Sequence, residues 1–96
     1  MSNKVVYKFP APHRLKSIEV RVGAKVVLVD HQYGVPTIWV EMDLLAPREV
    51  WHIFSVATGE ENRIRDEWEH LGSVVVRPEA GSYGRILVWH MYKGAL

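Results

Sequence analysis

The sequence predicts a mainly β fold: about seven short, mostly antiparallel strands forming a small sandwich or partly open barrel, with one short helix around 59–70. Three observations carry that expectation. Apolar and polar residues alternate in short runs along most of the chain. Gly or Pro closes nearly every run. Helical spacing occurs in a single stretch. The 96 residues suit one domain, 1–96, with no linker or composition break inside it.

The elements follow in order. Val5, Tyr7 and Phe9 alternate with Lys4, Val6 and Lys8, and Pro10 and Pro12 stop that strand. Ile18, Val20 and Val22 alternate with Ser17, Glu19 and Arg21 before Gly23. Val26 to Val29 form an unbroken apolar run, which predicts a strand covered on both faces. Tyr33-Gly34 marks a turn. Ile38, Val40 and Met42 then alternate with Thr37, Trp39, Glu41 and Asp43, and Ala46-Pro47 breaks the chain. Val50, His52, Phe54 and Val56 oppose Trp51, Ile53 and Ser55, which predicts another strand covered on both sides.

Thr58-Gly59-Glu60-Glu61 fits a capping box, and Ile64, Trp68 and Leu71 recur at helical spacing before Gly72. A helix of three turns is marginal alone and must dock through Trp68. Val74–Val76 and Arg85–Tyr92 complete the strands, joined by a turn-rich loop over 78–84.

Composition narrows the function classes. Apolar residues make up 48% and charged residues 24%, as in ordinary globular domains, which argues against disorder and coiled coils. The net charge of +1 supplies no bulk attraction to nucleic acid or membrane. No apolar run approaches a bilayer span. The first twelve residues lack an apolar signal-peptide core and a small-residue cleavage site, so no secretory signal is expected there. There is no cysteine, which excludes disulfides, thiolate metal sites and cysteine nucleophiles.

Three constellations could carry function. Val50-Trp51-His52-Ile53-Phe54 and Val88-Trp89-His90-Met91-Tyr92 repeat one pattern. In matching register the two Trp would stack on one face and the two His on the other. His52 and His90 are then candidates for metal binding or proton transfer, against a reading as hydrogen-bonded, half-buried histidines. A third ligand would have to come from His31, His70, Glu41 or Asp43, and no spacing requires it.

The second constellation is Trp39, whose face-mates are Thr37, Glu41 and Asp43. An outward Trp there marks an interface or ligand platform; the alternative is a ring covered by a loop or helix. The third is a charge asymmetry. Lys4, Lys8, Arg14, Lys16, Arg21 and Lys25 face a single acid, Glu19, in the first 25 residues. Glu60, Glu61, Asp66, Glu67 and Glu69 outweigh Arg63 and Arg65 in the helix. A head-to-tail contact between these regions would favour a homo-oligomer. Tyr7 and Phe9 alternate away from Lys4 and Lys8, so a nucleic-acid platform is not expected there. Gly81-Ser82-Tyr83-Gly84 opens no helix and fails the context of a phosphate loop.

Several stretches together resemble a known family: Tyr7-Lys8-Phe9, Gly23-Ala24-Lys25-Val26, Gly34-Val35-Pro36-Thr37-Ile38-Trp39 with Asp43 and Ala46-Pro47, Ala57-Thr58-Gly59, Leu71-Gly72-Ser73-Val74, and Leu87-Val88-Trp89-His90. The pattern is similar to short uncharacterised proteins of tailed bacteriophages and prophages. The acidic stretch after Thr58 departs from it, since that pattern has a shorter, Pro-containing loop there. The resemblance implies no activity and no functional residue. It implies provenance: a small cytoplasmic phage protein made in an infected bacterium.

The leading expectation is a non-enzymatic accessory protein that binds a host protein or a second copy of itself, without a cofactor. Its surface would combine Trp39, Glu41 and Asp43 with Arg65 and Glu69 on the helix. The alternative is a small-ligand, nucleotide-like binder using Lys4, Lys8 and Tyr83. A His-based metal or hydrolase site at His52 and His90 comes third. Neither nucleic acid nor membrane is an expected partner. Open strand edges make edge-to-edge dimerisation a further expectation.

Overall fold

The computed structural model describes residues 3–12, 14–61, 64–78 and 84–96. They form seven strands: β1 (Lys4–Pro10), β2 (Leu15–Arg21), β3 (Lys25–Gln32), β4 (Val35–Asp43), β5 (Arg48–Ala57), β6 (Glu69–Val76) and β7 (Leu87–Gly94). Every ladder is antiparallel. Sheet A has the order β1-β4-β3 and sheet B the order β2-β5-β7-β6. Among the described residues the structure is all-β, with two packed sheets and no closed barrel.

Alternation decides which face is inside. Ile18 and Val20 of β2, Ile38, Val40 and Met42 of β4, Trp51 and Ile53 of β5, Val74 of β6 and Met91 of β7 are all buried in one cluster. Their neighbours in sequence point the other way, because successive side chains in a strand alternate. The molecule is flattened, 51 × 30 × 15 Å across its Cα atoms. The sheets meet where β3 lies on β6. A Cβ on Gly72 would stand 3.2 Å from Val29, so the missing side chain lets the strands approach.

The β3–β4 connection is a two-residue hairpin. Gln32 pairs with Val35, and Tyr33 and Gly34 both have positive φ, 52° and 80°. That is the primed turn whose twist matches the flanking strands. The β4–β5 turn is held by Asp43, whose Oδ1 accepts the Leu45 N–H at 2.9 Å and the Asn3 N–H at 3.0 Å. Ser55 is a buried polar group and is satisfied: its hydroxyl donates to the Ala11 carbonyl at 3.1 Å.

The structure corrects four expectations. No helix occurs among the described residues, and the segment expected to be helical is a turn at 58–59, irregular chain, a second turn at 66–68 and then β6. Asn62 and Arg63 lie outside the described residues. The capping-box residues close a tight turn instead. Glu60 donates its N–H to the Ala57 carbonyl at 3.1 Å, and its carboxylate accepts the Ala57 N–H at 3.0 Å. Leu71 and Val74 are more useful in a strand, where they join the core side of sheet B. Tertiary pairing with β7 thus outweighs a weak local helical preference.

The second correction concerns β3, which is not covered on both faces. A bulge between Val26 and Leu28 breaks the run, and Val27 and Leu28 are exposed. Third, β5 is covered on both faces only toward its end: Trp51, Ile53 and Ser55 are buried on one face and Val56 on the other, with Phe54 beneath Trp68, whereas Val50 at its start is exposed. Finally, β5 and β7 are neighbours, but their repeated motifs are out of register. Trp89 faces Ala57 and His90 faces Val56, so Trp51 does not stack on Trp89 across the ladder.

Candidate functional site

Each sheet has one face on the core and one turned outward, and the outward faces differ. On sheet A the register lays out three rows across β1, β4 and β3. Lys8, Trp39 and Leu28 make one row. Val6, Glu41 and Lys25 make the next, and Pro10, Thr37 and Asp30 lie on the other side. Lys4 opposes Asp43 at the end. Trp39 is half-buried at the centre, while Val6 is 52% and Leu28 48% exposed. Glu41 sits between two lysines, 3.9 Å from the Lys4 ammonium and 3.7 Å from that of Lys25.

On sheet B the middle of the outward face is uncharged, with the exposed Arg48–Glu19 ion pair, 3.3 Å, toward the start of β5. His52 is hydrogen-bonded through Nδ1 to the Ser17 hydroxyl at 2.8 Å, directly across the β2–β5 ladder. His90 is held at both ring nitrogens, by Ser73 Oγ at 2.8 Å from Nδ1 and by Thr58 Oγ1 at 2.7 Å from Nε2. Ser73 also reaches His70 Nε2 at 3.4 Å. The His70 ring lies 5.1 Å from Tyr92 and 6.5 Å from His90. Beside them Trp68 stacks on Phe54, centroids 3.9 Å apart and planes within 16°. Trp68 lies so close over Gly94 that a Cβ there would enter its ring. Its Nε1 is buried without a hydrogen-bond partner among the described residues.

These positions settle what the sequence-predicted residues can do together. His52 and His90 share the outward face of sheet B, but His52 opposes Gly94 and His90 opposes Val56. Their ladder positions lie four steps apart along β5, about 13 Å at strand rise, too far for one ion. Among the described residues no group of three or more His, Asp or Glu converges as a metal site.

Trp39 and Glu41 do share an accessible face with Lys4 and Lys8. Asp43 is committed elsewhere: its carboxylate holds the turn, and the N–H groups of Leu45 and then Asn3 keep its pKa below the ordinary carboxylate value. Arg65 and Glu69 fall away from this surface. Arg65 is in the turn before Trp68 on sheet B, and Glu69 opens β6. The expected five-residue surface is therefore split. Tyr83 lies outside the described residues.

A family model for a domain of unknown function (DUF7352) matches residues 2–95. The chain belongs to that family. No curated protein and no solved structure matches it. The DUF7352 match runs through all seven strands and so includes both outward faces.

Sequence reasoning about the DUF7352 domain missed the chain from Thr58 through His90 and Ser73 to His70, and the Phe54–Trp68 stack. Both join residues from segments far apart in the chain. The signal available was the matching hydroxyl and imidazole residue types, but only register shows that Ser17 meets His52 and Ser73 meets His90.

Proposed function

We propose that this DUF7352 protein is a non-enzymatic accessory protein of a bacteriophage or prophage, acting in the host cytoplasm by binding another protein. The partner is a host protein or a second copy of the chain, docked on the outward face of sheet A. One observation carries the reading: Trp39 stands at the centre of an accessible sheet face, flanked in register by Leu28 and Lys8, with Val6 one row away. An aromatic anchor inside an apolar strip with a charged rim suits a protein interface.

Charge favours a protein over a nucleic acid. The register places Lys4, Lys8 and Lys25 on this face together with Asp30, Glu41 and Asp43. Three cations against three anions leave no net attraction for a polyanion.

The test is native mass spectrometry and size-exclusion chromatography of the protein recovered gently from a bacterial host, beside Trp39→Ala and Leu28→Asp. We expect a defined oligomer or a stoichiometric host-protein adduct that both substitutions weaken by at least tenfold, with unchanged circular dichroism. Association unaffected by both substitutions, or a monomer without an adduct, rejects this face.

A further inference from the structure

A second feature lies away from the Trp39 surface. Where the sheets meet, the starts of β3 and β6 enclose a cleft of about 250 Å³. Val26, Leu71 and Trp51 supply apolar wall; Glu69 and Lys93 supply charge. That volume is below the range of drug-sized ligand pockets and suits a small metabolite.

Glu69 and Lys93 stand directly opposite each other on β6 and β7. Opposite charges so placed ordinarily stabilise a sheet by pairing. Here they do not close. The Lys93 ammonium instead lies over the Trp51 ring, 4.1 Å from its centroid. The ion pairs among the described residues join other groups, and Lys25 at the cleft is drawn toward Glu41. The cleft therefore presents the Glu69 carboxylate, the Lys93 ammonium, the His70 ring and an apolar wall, with the Lys25 ammonium at its edge 3.7 Å from Glu41.

We propose that this cleft binds a small zwitterion of the amino-acid class with an apolar side chain. Its carboxylate meets Lys93, its ammonium meets Glu69, and its side chain lies against Val26 and Leu71. Two charges of opposite sign also select against simpler ions. A plain carboxylate is repelled by Glu69, and a plain amine by Lys93. This site stands whether or not the Trp39 face binds a protein.

The test is a titration of ¹⁵N-labelled protein, followed by amide shifts, with L-leucine, L-valine and L-phenylalanine. N-acetyl-L-leucine, which keeps only the carboxylate, and L-leucine methyl ester, which keeps only the ammonium, are run alongside. We expect saturable shifts confined to residues 24–26, 51, 69–71 and 93. Either blocked derivative should bind roughly tenfold or more weakly, the value of one lost charged hydrogen bond. Lys93→Met, which keeps an apolar stem over Trp51, and Glu69→Gln should show the same loss while retaining dispersed spectra. Absence of localised shifts up to the solubility limit overturns the proposal. So does N-acetyl-L-leucine binding as tightly as L-leucine, or unchanged binding in Glu69→Gln.

Discussion

The two outward faces are built from one plan and end in opposite conditions. On sheet B the polar groups consume one another: Ser17 with His52, and Thr58, His90, Ser73 and His70 in a chain. Its large aromatic, Trp68, is laid flat on Phe54. On sheet A the aromatic, Trp39, has no ring partner among the described residues, and the charges around it stay at the surface with long contacts of 3.7 and 3.9 Å. A face whose hydroxyl and imidazole groups bond to one another stabilises the fold, although Trp68 Nε1 stays without a partner among the described residues. A face left with an open ring and loosely held charges has more to offer a partner.

That contrast can be broken most forcefully at Trp68. Trp68→Ala should lose about 2–3 kcal/mol in urea unfolding, toward the lower end for a large ring because Trp68 is only half-buried. Gly94→Ala should lose a similar amount, since its methyl would occupy the space of the Trp68 ring. Combining them should cost little more than either alone, as expected for residues sharing one contact. Full additivity would mean that Trp68 does not depend on Gly94 for its seat.

A smaller effect sharpens the comparison between polar groups. Ser73→Ala removes a hydroxyl that serves two imidazoles and should cost about 1 kcal/mol. Lys8→Ala on sheet A should stay within about 0.5 kcal/mol, as exposed surface changes do. Equal losses in chemical denaturation would erase the distinction between the faces.

The smallest expected effect is at Asp43. Its folded-state pKa is depressed by the Leu45 and Asn3 amides. A carboxylate shifted in that direction contributes stability above its unfolded pKa and loses it as pH falls through the folded value. The loss should therefore appear below about pH 4. Asp43→Ala should flatten that part of the acid-denaturation curve, and a carboxyl-detected NMR titration should place Asp43 below the ordinary carboxylate value.

Legibility in the sequence followed the range of the forces. Strand alternation is local, so it groups Ile38, Val40 and Met42 on one face and Trp39 with Glu41 and Asp43 on the other, and the structure buries the first group. The Tyr33-Gly34 turn was legible because positive φ is a property of one or two residues. The stretch after Thr58 misled for the same reason. Its spacing fits a helix, yet Trp68 is placed by Phe54 and Gly94, and β6 by its ladder with β7. Neither partner can be read from the local pattern. Register was the other blind point. Val-Trp-His occurs twice, but a shifted ladder separates the copies and gives each His its own hydroxyl partner. At Val26–Val29 a bulge, which composition does not announce, turned a run that looked enclosed into a half-exposed strand.

The strand order has a consequence for how the chain is born. β1 must wait for β4, where Tyr7 meets Val40, and β2 must wait for β5, where Ile18 meets Trp51. A ribosome delivers the first two strands well before either partner exists, whereas the β3–β4 hairpin can close as soon as it emerges. Until then β1 and β2 are unsatisfied edges, open to pairing with neighbouring nascent chains. Lys4, Lys8 and Lys16 make such pairing between identical strands repulsive. Part of the basic N-terminal pattern then serves the seconds of synthesis as well as the finished surface, and replacing those lysines would lower soluble yield.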